Sequence, residues 1–195
     1  MGKALDFRKI RNKVWYLPAF LLIPSLYILS YIVIRRAGLP LPESIEIPYL
    51  VAPLFLIMFF VGGLGEELGW TGYALDPLEE RFGTVKAAFI LGIIWAVWHS
   101  IPYVQTGNAT SWILWQVLYA IALRILIVWI YNRTGKSVFA ATVLHTMVNV
   151  SWTLFPNYGS HFNPLVTGSL AWVTVLIVLA LWRPSRPARY HYAGV

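Results

Sequence analysis

This chain of 195 residues predicts an all-α fold, a membrane helix bundle that crosses a bilayer about six times. Three observations carry that reading. Residues are 58% hydrophobic and only 12% charged, against about 25% charged in an ordinary soluble domain. The apolar residues come in long uncharged runs, each able to reach across a hydrocarbon core about 30 Å thick. Those runs are continuous and do not alternate with a period of two. Backbone hydrogen bonds are then met inside helices, not in a barrel or an open sheet.

Six segments follow in order: Val14–Ile34, Pro48–Ala74, Val85–Val104, Ser111–Tyr131, Ser137–Phe155 and Leu165–Trp182. The first has the outline of a signal peptide, a basic start before an apolar stretch. Its length and the lack of a small-residue cleavage site favour a retained helix. Trp15, Tyr16, Tyr49, Trp112, Trp129, Tyr131 and Trp182 sit near segment ends as interface anchors. Pro18, Pro24 and Pro77 mark kinks or ends, and Leu39-Pro40-Leu41-Pro42 reads as a linker between two segments.

Basic residues set the orientation. Lys3, Arg8, Lys9, Arg11 and Lys13 share a side with Arg81, Lys86, Arg133, Lys136, Arg183, Arg186 and Arg189, whereas the opposite loops hold Arg35 and Arg36. Both termini are therefore expected to be cytoplasmic, in a single membrane domain spanning 1–195 with a disordered polar tail from Pro184. The net charge of +7 lies at segment ends and forms no basic stripe with interleaved aromatics, so nucleic acid is not an expected partner. Zero cysteines exclude disulfides, thiolate metal sites and a cysteine nucleophile. No internal repeat stands out of the kind many secondary transporters carry. The localisation is multi-pass membrane, with the cell membrane the natural setting and lipid the surrounding partner.

Against this background Gly62-Gly63-Leu64-Gly65-Glu66-Glu67-Leu68-Gly69-Trp70-Thr71-Gly72 is unusual. A charge at the bilayer centre costs about 2.5–3.5 kcal/mol on insertion scales, so acids in an apolar segment point to function. Taken alone, the pair would also suit a helix end emerging into water. The glycines are expected to let neighbouring helices approach closely. Other polar residues inside segments are His99, Arg124, His145 and Asn149. At 1.5 Å per residue, Glu66 lies about 15 Å from its nearest basic-side end, His99 about 20 Å, His145 about 12–14 Å and Arg124 about 10–14 Å. Four groups on four helices at one depth argue for a buried site. His145 and Asn149, four apart, share a face, as do Trp95 and His99. Glu66 and Glu67 diverge by about 100°, so one enters the pocket and the other turns to a neighbour.

Glu66-Glu67, an aromatic four residues before His99, and His145-x-x-x-Asn149, in that order, resemble the CPBP family of CAAX-processing and bacteriocin-processing intramembrane proteases, also called the Abi family. The likeness covers about residues 53–152, which it marks as the catalytic core. The family pattern is Glu-Glu-x-x-x-Arg, Phe-x-x-x-His and His-x-x-x-Asn. Trp95 replaces the Phe, a mild change, and Thr71 stands where the Arg would be, four residues after Glu67. We expect Arg124 to supply that missing charge; the alternative is a side chain that snorkels toward the basic side.

The resemblance implies an endopeptidase acting on a prenylated CAAX-type or other membrane-associated peptide. Glu66 is then the general base, His99 orients the water, and His145 with Asn149 donates to the tetrahedral oxygen, with Glu67, Trp95 and Arg124 in support. A metal version would use Glu66, His99 and His145 as a His₂Glu zinc site with an open position. No His-Glu-x-x-His helix supports it, and cofactor use stands open between zinc and none. Neither Ser100 nor Ser151 has a nucleophile-like setting. The remaining alternatives are a catalytically inactive peptide-binding or bacteriocin-immunity protein, favoured by Thr71, and a proton-coupled transporter using the acids and histidines as a relay. Asp76, Glu79, Glu80 and Arg81 read as a solvated helix end, and His161 and His191 as solvated.

Overall fold

The computed structural model describes residues 12–182. The basic residues of the first eleven positions, Arg183, Arg186, Arg189, His191 and the tail from Pro184 lie outside the described residues. Seven α-helices follow one another without an intervening strand among the described residues: α1 Tyr16–Arg36, α2 Ala52–Gly69, α3 Asp76–Phe82, α4 Thr84–Gln105, α5 Thr110–Arg133, α6 Val138–Leu154 and α7 Pro164–Leu181. All six expected segments are present. Five helical runs among the described residues are long and apolar enough to cross a membrane, and α6 is shorter. The chain is a multi-pass membrane protein.

α2 does not end where its carboxylates are. It widens into a π-helical turn, Trp70–Leu75, and continues as α3, giving one helical run from Tyr49 to Phe82. Pro77 lies inside this run just past the π turn and brings no N–H to the carbonyls of the preceding turn. The run stops at Gly83, whose φ of 78° suits glycine.

α5 and α6 form the inner pair. α1 and α2 flank α6, α4 and α7 flank α5, and α1 meets α7 on one side. On the other side α4 meets α3 and the π turn. α5 crosses buried for most of its length because small and branched apolar residues surround it on several faces. Of the α2 glycines, only Gly63 and Gly72 face neighbours. A Cβ on Gly63 would lie 3.6 Å from His145 Cγ, whereas Gly62, Gly65 and Gly69 face open space. The bare side expected to receive a helix thus looks outward over most of its length. A close backbone approach lies elsewhere, where a Cβ on Gly92 of α4 would meet the Ile121 backbone of α5 at 3.4 Å.

Several end residues differ from the expectation of interface anchors. Trp15 packs edge-on against Trp129 at 5.4 Å and lies beneath the Arg133 guanidinium at 5.5 Å. Tyr131 and Trp182 are buried. These aromatics join helices, while Tyr49 stays exposed. The acidic end of the second run is not simply solvated either. Glu79 is buried, accepting from Asn132 Nδ2 at 2.6 Å, and Lys136 Nζ donates to Asp76 Oδ1 at 2.9 Å. Tyr131 OH also donates to Asp76, at 3.2 Å. This network ties α3 to the turn between α5 and α6.

Candidate active site

α2, α4 and α6 bring Glu66, His99, His145 and Asn149 to the wall of one cavity of about 110 Å³, which Trp95 also lines. Every sequence-derived site residue is in or directly behind this wall. The cavity divides the carboxylate pair, as a rotation of about 100° between neighbouring helix positions requires. Glu66 faces it, and its Oε2 accepts from the Trp95 indole Nε1 at 3.0 Å. Glu67 points away and is fully buried.

Glu67 has two partners. Arg124 Nη1 of α5 donates to both its carboxylate oxygens at 2.8 Å, and His145 Nδ1 donates to Oε1 at 2.8 Å. Arg124 is itself fully buried, so it does not snorkel. A charge taken so far out of water holds only when paired and hydrogen-bonded. Arg124 Cζ also lies 4.4 Å from the Trp95 ring centroid, and the indole face complements the cation where Nε and Nη2 have no hydrogen-bond acceptor. Thr71 donates its hydroxyl to the Glu67 carbonyl at 2.7 Å, within the widened turn.

Trp95 is the plate on which these groups meet. Its N–H holds Glu66, its face covers Arg124, and its ring makes edge contacts with His99 at 4.4 Å and His145 at 5.5 Å. Replacing the family Phe is therefore more than the mild change expected, since phenylalanine has no N–H for Glu66. His99 Nδ1 meets the Trp95 carbonyl at 3.0 Å. Both histidines thus aim Nδ1 at an oxygen that only accepts, which places the proton there and leaves Nε2 for the other side of each ring.

A zinc site would require Glu66, His99 and His145 to direct lone pairs at one centre. Among the described residues no three His, Asp or Glu side chains gather in that way. His145 is turned to Glu67 and Glu66 is held by Trp95. The donor set as folded does not fit a metal.

The family model of type II CAAX prenyl endopeptidase Rce1-like proteins matches residues 48–151, a little over half of the chain. The chain belongs to this Rce1-like family. A protein named CAAX prenyl protease 2 from Methanococcus maripaludis is 27% identical over 176 residues, covering 82% of this chain and 63% of that protein. The chain thus spans less than two thirds of the relative's length. Within the Rce1-like match the departure at Thr71 is met by Arg124, contributed from a different helix to the same carboxylate.

Sequence reasoning missed the far end of the cavity, lined by Tyr27, Tyr103, Gln116 and Tyr119. The available signal was Gln116 itself, an amide in an otherwise apolar stretch of α5.

Proposed function

We propose that this chain is an intramembrane endopeptidase that hydrolyses a peptide bond in a membrane-associated substrate, with a prenylated CAAX-type tail as the substrate class. The observation that carries the proposal is the convergence of Glu66, His99, His145 and Asn149 on one cavity. Membership of the Rce1-like family and the name of the relative support it.

In this reading Glu66 takes a proton from water as its oxygen bonds to the scissile carbonyl carbon, and later gives that proton to the leaving amine. The Trp95 N–H fixes the carboxylate, leaving Oε1 for the water. His99 Nε2, an acceptor when the ring is neutral, orients the second water hydrogen. Asn149 donates its amide N–H to the tetrahedral oxygen. His145 can donate from Nε2 only as an imidazolium. Glu67 and Arg124 touch no reacting atom and act as positioning residues. The scaffold alternative is favoured by Thr71 as a lost charge, and the pairing of Arg124 with Glu67 speaks against it.

The test is cleavage of farnesylated CAAX peptides within a mixed peptide pool by purified protein in detergent. Glu66→Gln should fold and lose about 10²–10⁴-fold in rate, the range of general-base catalysis. A chelator should leave the wild-type rate unchanged. Loss of activity with chelator would overturn the glutamate-only mechanism. A folded wild type that binds but never cleaves these peptides would favour a peptide-holding role.

A further inference from the structure

The cavity extends past the four groups just described. One turn beyond His99 on α4, about 6 Å along the axis, Tyr103 lines it together with Gln116, Tyr119 and Tyr27. Gln116 is only 7% exposed, and its Nε2 donates to the Tyr103 hydroxyl at 3.2 Å. Its Oε1 is buried and has no hydrogen-bond partner. Tyr119 and Tyr27 join their hydroxyls at 3.2 Å. Buried polar atoms in native proteins are nearly always paired, so a lone amide oxygen on a residue that lines the cavity points to a donor that arrives from outside.

The chemistry of that donor is limited by its surroundings. No Lys, Arg, Asp or Glu lines this end of the cavity. A charged group would be desolvated there with no counter-charge, whereas a neutral N–H gains an acceptor. The volume is also small. At about 110 Å³ the cavity has room for a short stretch of main chain and little side chain. An extended chain advances about 3.3–3.6 Å per residue, so 6 Å corresponds to about two residues.

We infer that this end is a main-chain subsite, in which Gln116 Oε1 accepts the N–H of a substrate peptide link within two residues of the scissile bond. Gln116 is thereby a substrate-binding residue, held in place by Tyr103. The inference rests on the endopeptidase reading and names the part of the substrate that this cavity grips.

The experiment replaces single amide links by esters, one at a time, at the two positions on either side of the scissile bond of a farnesylated peptide. Each ester deletes one N–H and leaves the scissile amide intact. Wild type should lose about tenfold in kcat/KM for one ester, the effect of one hydrogen bond. Gln116→Leu, which removes the unpaired oxygen and is checked for folding by its thermal midpoint, should treat that ester and its amide alike. Equal cleavage of all esters by wild type, or discrimination that persists in Gln116→Leu, would overturn the subsite and leave the protease intact. A second arm measures binding of the same peptides to Glu66→Gln. If wild type cleaves nothing yet this variant prefers the amide through Gln116, the subsite stands and the protease reading falls. Absence of both cleavage and binding would overturn both.

Discussion

Glu66 and Glu67 are the same side chain one residue apart on the same helix, and the protein gives them opposite surroundings. Glu66 meets a cavity, one indole N–H and no full positive charge within bonding distance. Glu67 is sealed from solvent, gripped by Arg124 and backed by His145. The difference shows how one helix serves structure and chemistry together. The inward position fixes the rotation of α2 against α5 and α6, and that rotation aims the other carboxylate.

The largest effect should come from breaking the inward pair. Arg124→Ala leaves a buried carboxylate unpaired and should cost about 3–5 kcal/mol, read as a fall in the thermal midpoint in detergent together with lost activity. Thr71→Arg in that background should restore much of both, because a residue four positions after Glu67 shares its helix face. Failure of the rescue would mean that the position of the cation, not only its charge, is fixed. Next comes the cavity side. Asn149→Ala should lower kcat by about 10²–10³-fold, the scale of a lost oxyanion donor, with the thermal midpoint nearly unchanged. An Asn149 variant that loses stability as much as activity would place that residue with Glu67.

A milder change tests the plate between the two. Trp95→Phe removes the N–H to Glu66 and weakens the contact with Arg124, so activity should fall about fivefold, in keeping with roughly 1 kcal/mol for one hydrogen bond. A drop confined to stability would show that the indole serves Glu67 alone. The smallest effect lies outside the site. Burial pulls the Lys136 ammonium down, but the Asp76 hydrogen bond and carboxylate charge outweigh it and hold Lys136 above its usual range. A raised folded value means that this contribution is fully present below pH 10.5 and is lost as pH rises through the folded value. Lys136 is about half exposed, so the effect should stay below ~1 kcal/mol and shrink with salt. Comparing wild type and Lys136→Ala in pH-dependent thermal melts checks it.

Much of this site was legible in the sequence because its constraints are local or linear. Helical period set the shared face of His145 and Asn149, distance from the charged ends set the common depth, and Arg124 stood out as a charge in lipid. The departure at Thr71 directed attention to the right partner. What could not be read depended on how helices rotate against one another. Nothing along α2 says which of two adjacent glutamates faces inward; the docking of α6 over Gly63 decides that. The burial of Glu79 was hidden because Asn132 and Lys136 reach it from over fifty residues away. The π turn was equally hidden, since Trp70–Leu75 carries no proline or charge to mark a change of helix type.

The continuous run from Tyr49 to Phe82 has one more consequence. Its apolar part, residues 49–75, is about 40 Å of helix against a hydrocarbon layer about 30 Å thick, and only 6% of the most apolar stretch is buried inside the protein. Such a mismatch is relieved by tilt or by local thickening of the bilayer. α3 is moored by Lys136 and Asn132 at the charged end of the run. Lipid therefore forms the outer surface of the helix that carries Glu66, while its inner surface is held by α6.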